Sequence, residues 1–453
     1  MPSLRRNIVY QFLYELLIVF IPLFTIPYVS RVLGAENIGL FSYTYAVANY
    51  FVLFANLGIK NYGSRTIAMV RNNKEELNRN FSEILSIHII FSIIVIFVYL
   101  VLLFFFVEDN LVIFLIQSIY IFAAVFDINW FFFGIEKFKL TVGRNTLVKI
   151  LSVFLVLVFV KTQTDLWIYA LILALSVFVG QSVVWFALKQ YVSWRRPSWA
   201  NMKQHIRPLF VLFLPILALS LYKYMDKIML GSISSNVQVG FYENAEKIIN
   251  VPMSLIMAFG VVLMPRIANM VTSKDKGEVF KLIDMSMEAV MLLAIAISFG
   301  LAGISFVLAP IFFGYEFEEC GILIMGLAVT VPFMAFANVI RTQYLIPYKE
   351  DKIFVVSLFL GAAVNLIVNI ILIPYMAARG AVIGTIFAEI IVCIYQSYFV
   401  RKKIFIKKYL LNTIPPILIG IVMFVFVFQI GNVMNINIVT LILQLVVGMF
   451  IYA

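Results

Sequence analysis

Stretches of about twenty apolar residues recur from one end of the chain to the other, and they limit the fold more than any other feature. A hydrocarbon layer about 30 Å thick takes roughly 20 helical residues to cross. Repeated runs of that length predict an all-α, polytopic membrane protein. Fourteen spans are expected: 8–30, 38–60, 84–107, 111–133, 141–160, 166–188, 208–231, 240–265, 285–309, 322–345, 353–374, 379–399, 413–430 and 437–453. The fifth is short and the last holds 17 residues, so the sequence is expected to end inside its final helix. Composition agrees: 63% of residues are hydrophobic and 13% charged, against about 45–50% and about 25% in soluble domains.

The basic residues test the span count independently. With the N-terminus cytoplasmic, 27 of the 34 Lys and Arg fall in inside segments. Three fall outside, Arg31, Lys161 and Arg379; four fall within spans, Lys223, Lys227, Lys247 and Arg341. Strict alternation of this kind is the signature of cytoplasmic loops, and it accounts for the net charge of +11 without nucleic acid. The inside segments 61–83 and 401–412 are expected to form surface helices whose basic side chains reach toward anionic headgroups. The basic start of the chain lacks a small-residue cleavage site and reads as an uncleaved first helix in a plasma-membrane protein.

Catalytic chemistry has little support. The cysteines, Cys320 and Cys393, lie far apart, and two histidines cannot form a multi-His metal site. His88 and His205 are both expected at the interface. "GAENIGLF" has the spacing of a phosphate loop, but Leu40 stands where a lysine is needed. No loop is expected to exceed about 25 residues, too few to hold a soluble domain. No bound cofactor and no metal are expected.

The charges inside the spans carry the functional argument. Span seven contains Lys223, Asp226 and Lys227 in "KYMDKIML". Unpaired at mid-bilayer, three charges would cost roughly 8–10 kcal/mol, and the span's twelve Leu, Ile, Val and Phe return only roughly 4–7 kcal/mol. The charges therefore need partners or water. Span eight offers Glu243, Glu246 and Lys247 at similar depth across a tight turn. Two readings stay open: an ion-pair cluster that locks the hairpin, or the charged wall of an aqueous cavity. Glu15, Asp127, Glu389 and Arg341 are further charges within spans.

A faint repeat relates "RVLGAENIGLFSY" (31–43) to "IMLGSISSNVQVGFY" (228–242), each after a proline-containing helix. Spans one and seven run the same way, so the repeat predicts parallel six-helix halves, a transporter design. The expected domains are 1–200, 201–400 and a two-helix tail, 401–453.

Four stretches then bring a family into view. "YVSRVLGAENIGLFSYTYAVANYFVLFANLGIKNYGSR" (28–65), "FDINWFFFGIEKFKLTVGRNTLVKI" (126–150), "FLPILALSLYKYMDKIMLG" (213–231) and "VGFYENAEKIINVPMSLIMAFGVVLMPRIA" (239–268) resemble the polysaccharide repeat-unit flippases. These are relatives of the multidrug and lipid-II exporters. The resemblance implies two six-helix bundles, spans 1–6 and 7–12, around a central cavity, with two extra C-terminal helices. It implies passage of an undecaprenyl-diphosphate-linked oligosaccharide to the outer leaflet, with a polymerase and chain-length machinery as partners beside the membrane lipids. On that expectation Lys223 and Lys247, then Arg31 and Arg341, are candidates to contact the diphosphate. Asp226 would orient the lysines, and Lys227, Glu243 and Glu246 would complete the ion-pair cluster. Asp127 and Glu15 are candidates for a proton or sodium site, a gradient being the expected energy source. The alternatives are a cation-coupled multidrug exporter and an integral polymerase or glycosyltransferase.

Overall fold

A computed structural model describes the backbone of residues 4–272 and 276–453, and side chains from residue 21 onward except at 22, 138–140, 142, 222, 261, 272 and 276. Among the described residues every regular element is helical, and ten stretches are long and apolar enough to cross a bilayer. Four differences separate these ten from fourteen discrete spans: two mergers, the short last helix, and the helix of span five, Phe138–Phe159, which is not among the ten. Spans one and two run together as Leu4–Asn56, bent at Gly34, and spans eleven and twelve as Asp351–Val400, bent at Ala377. The last helix, Ile438–Tyr452, has 15 residues. Large apolar side chains such as Phe97, Phe104, Phe186, Ile370 and Phe426 face outward, the orientation a hydrocarbon solvent favours.

The chain groups into two compact units: unit 1, Met1–Thr25 with Phe41–Ser220, and unit 2, Ile26–Leu40 with Leu221–Ala453. Unit 1 has an aromatic core, with Phe81, Trp130, Phe131 and Phe132 packed among Ile67, Ile84, Leu209 and Phe213. The segment 61–83, expected to form a surface helix, contributes Ile67, Leu77 and Phe81 to this core. Helix Ile59–Val70 presents Gly63 to the face of Trp130, and Asn73 caps the next helix, Lys74–Phe106, by accepting from the amides of Glu75 and Glu76.

In unit 2 the two bends share one solution to the amides they free from helical bonding. The Ala35 N–H donates to Glu316 Oε1 at 2.9 Å, and the Ala378 N–H donates to Gln238 Oε1 at 3.2 Å. Gly34 makes the first bend at φ 77, a conformation glycine adopts without penalty. Arg31 donates to the Ile311 carbonyl at 2.6 Å, satisfying the last turn of helix Lys276–Phe313. These contacts tie residues 26–40 to unit 2.

The repeat has a structural counterpart. A Cβ on Gly39 would strike the Asn236 carbonyl and the Gly240 amide; a Cβ on Gly240 would strike the Ala35 carbonyl and the Gly39 amide. Equivalent glycines of the two repeat segments thus face each other reciprocally, with the backbones of helices Leu4–Asn56 and Asn236–Thr272 in contact. Small residues are what allow helices to approach this closely.

Candidate functional site

The charges of spans seven and eight meet. The end of helix Trp199–Ile233 and the start of Asn236–Thr272 form a hairpin, and Lys227 Nζ reaches Glu243 at 2.5 Å and Glu246 at 2.8 Å. Glu243 also takes Lys247 at 3.1 Å, one turn along the same helix. Exposure rises across this network, from 9% at Lys227 and 14% at Glu243 to 25% at Glu246 and 32% at Lys247. Its Lys227 end is therefore a structural ion pair, and its Lys247 end is accessible.

Asp226 does something other than orient lysines. It is buried and accepts from three neutral donors: Tyr242 Oη at 2.6 Å, Asn369 Nδ2 at 2.5 Å and Thr385 Oγ1 at 3.0 Å. Asn369 precedes the Ala377 bend and Thr385 follows it, so one carboxylate joins the hairpin to both arms of helix Asp351–Val400. Tyr242→Phe removes one hydrogen bond to a buried charge and is expected to cost about 1.5–3 kcal/mol, read as a lower thermal midpoint of the purified protein.

Lys223 stands apart. It is exposed, forms no ion pair among the described residues, and its ammonium lies 5.4 Å from the centre of the Tyr224 ring. The remaining candidates are scattered and engaged in local structure. Arg31 caps a helix end. Arg341 donates to Asn338 Oδ1 at 2.6 Å and lies 5.5 Å from the Phe354 ring centre. Asp127 accepts from the backbone and side-chain amides of Asn129, at 3.0 and 2.7 Å, and so forms an Asx turn just ahead of the short helix Asn129–Gly134, after a break in span four. Glu15 lies outside the described residues.

Both histidines are buried rather than interfacial. The helix of span seven begins at Trp199, so the segment around residue 205 belongs to it. His205 Nδ1 lies 2.6 Å from Tyr62 Oη and its Nε2 lies 3.0 Å from Glu83, which also accepts from Asn201 at 3.0 Å. The sequence holds one clue to this triad: Glu83 stands immediately before an apolar span and needs a donor. His88 is fully enclosed in unit 1. No group of three or more potential metal ligands occurs among the described residues.

All-helical units, lipid-facing apolar surfaces and charges gathered on one buried hairpin define a multi-pass membrane transporter. The chain belongs to the family described as "Polysaccharide biosynthesis protein", whose profile matches residues 4–271. It is similar to a putative O-antigen transporter of Shigella dysenteriae, 24% identical over 408 residues that span 87% of this chain and 99% of the relative. Among solved structures, lipid II flippase MurJ in an inward closed conformation matches with a TM-score of 0.75 at 16% identity, covering 98% of this chain and 96% of that one. An inward-facing multidrug transporter of the MATE family matches with a TM-score of 0.66 at 13% identity, over 86% and 97%. At these identities the two structures speak to the fold.

Proposed function

We propose that this chain moves a lipid-linked oligosaccharide, an undecaprenyl-diphosphate-linked repeat unit, from the inner to the outer leaflet of the cell membrane. It works by alternating access, without hydrolysing ATP, and hands its cargo to polysaccharide polymerase and chain-length machinery. One observation carries the reading. The carboxylates of the charged hairpin are all engaged within the protein, while the Lys223 ammonium is exposed and meets none of them. A diphosphate arriving there finds a cation with no competing acid, and Lys247 is the second accessible cation of the same hairpin.

Two further features support it. Family membership ties the chain to polysaccharide synthesis. A cavity of about 730 Å³ in unit 2, lined by Met291, Phe299, Phe333, Ile394, Leu410 and Phe424, has the chemistry to hold part of a hydrocarbon tail. A proton or sodium gradient is the proposed energy source. Asp127 and Glu15 are the proposed coupling groups, and Asp127 would release Asn129 to take an ion.

The test is translocation of undecaprenyl-diphosphate-linked glycans in reconstituted vesicles, with and without ion gradients. Lys223→Ala with Lys247→Ala is expected to slow translocation about tenfold or more, the effect of losing charge-assisted contacts of about 1.5–3 kcal/mol each, with folded protein at its normal amount. Failure of the double variant to fold would assign these lysines to structure. Unchanged translocation at normal abundance would remove them from the pathway. Drug efflux without glycan movement would make the chain a multidrug exporter.

A further inference from the structure

A second cationic site lies in unit 1. A cleft of about 700 Å³ is walled by helix Ile59–Val70, the start of Lys74–Phe106 and the start of Trp199–Ile233. Arg65, Arg79 and Arg207 line it, and no carboxylate does. None of the three forms an ion pair among the described residues, although Arg71 and Arg195 nearby are paired with Glu136 at 2.5 Å and Glu75 at 3.1 Å. Glu83, behind the wall, is already held by His205 and Asn201. Glu75, Glu83 and Glu136 are thus engaged elsewhere, and three guanidiniums share one cleft.

The other wall is apolar. Met69 and Val211 are exposed there, 69% and 58%, beside Pro208 and Leu212. Tyr62 is fixed between the two surfaces by its bond to buried His205. Guanidinium groups suit phosphate oxygens because they present paired donors in a plane. A free phosphate would use only the arginines. A lipid phosphate would use both walls, and basic pockets beside apolar surface are where lipid headgroups bind.

We propose that this cleft binds the diphosphate headgroup of a prenyl lipid, as a loading site separate from Lys223 and Lys247 and on the cytoplasmic side that the charge pattern assigns to residues 60–83 and 189–207. The identity of the lipid rests on the flippase reading; the existence of the site rests on the cleft alone.

The experiment uses the full chain in nanodiscs of phosphatidylcholine, with farnesyl diphosphate as the probe and phosphatidylglycerol as the competing lipid. Two classes of binding site are expected. Arg65→Gln/Arg79→Gln/Arg207→Gln should remove one class, weakening it at least tenfold, while Lys223→Gln/Lys247→Gln removes the other. The corresponding triple Arg→Lys variant should retain part of the cleft binding, which separates lost charge from lost fold. Wild-type binding by the triple Gln variant overturns the proposal. So does equal or better occupancy by phosphatidylglycerol, which would make the cleft a phospholipid site. A wild type that shows only the cleft class of binding, unchanged by Lys223→Gln/Lys247→Gln, would sink the assignment of Lys223 and Lys247 and leave the cleft standing.

Discussion

Lys227→Met is expected to destabilise the protein by about 3–5 kcal/mol, the cost of leaving buried charge without its partner. Lys227 sits between Glu243 and Glu246, three residues apart on one helix face, and holds both within 2.8 Å. Without it, two like charges remain side by side and only Glu243 keeps a cation, Lys247. Methionine replaces the stem of the side chain, so packing changes little and the effect reads charge. The measurement is the thermal midpoint of the purified protein. Adding Glu243→Gln and Glu246→Gln to Lys227→Met should recover most of the loss, because a neutral cluster of similar shape escapes the desolvation cost. A single variant as stable as wild type would mean that water, rather than Lys227, solvates these carboxylates.

Gly39→Ala and Gly240→Ala should each cost about 3 kcal/mol or more, at or above the upper end for overpacking. The added methyl meets backbone on the facing helix in both cases, so no side chain can turn aside to admit it. Because the two glycines face each other across one contact, the double variant should cost less than the sum of the singles; once the helices part, the second methyl finds room. Gly143→Ala and Gly277→Ala are the controls. Nothing lies within 4 Å of a Cβ at either position, and alanine favours a helix over glycine by about 1 kcal/mol. Strict additivity at 39 and 240 would contradict the reciprocal contact.

The repeat was readable in sequence as two segments sharing Leu-Gly, a polar turn, Gly and an aromatic residue. Their packing against each other was not, since similarity between segments says nothing about whether they touch. The charged hairpin was the most legible part of the site. Its three basic and three acidic residues are close in sequence, a short turn sets them at one depth, and the energy of an unpaired charge in hydrocarbon demands that they meet. The role of Asp226 lay beyond that reasoning. Its nearest charges in sequence are lysines, yet its donors come from Tyr242, Asn369 and Thr385, up to 159 residues away. Arg31 and Asp127, candidates by charge alone, also take up backbone groups, the Ile311 carbonyl and the Asn129 amide, because helix ends and breaks leave such groups for a nearby polar side chain to satisfy.

The sequence by itself determined that the chain is helical, that it lies in a membrane, which segments between its apolar runs are basic, and that the charges of spans seven and eight sit at similar depth and need partners or water. These are properties of single helices or of neighbours joined by one turn, and hydropathy and charge along the chain report them directly. Only the tertiary structure decided which cations stay accessible, that Arg65, Arg79 and Arg207 line one cleft, and that His205 is locked between Tyr62 and Glu83. Those outcomes depend on which faces of distant helices pack together, and lateral packing among apolar helices leaves almost no periodic trace in sequence because the lipid-facing and protein-facing sides are apolar alike.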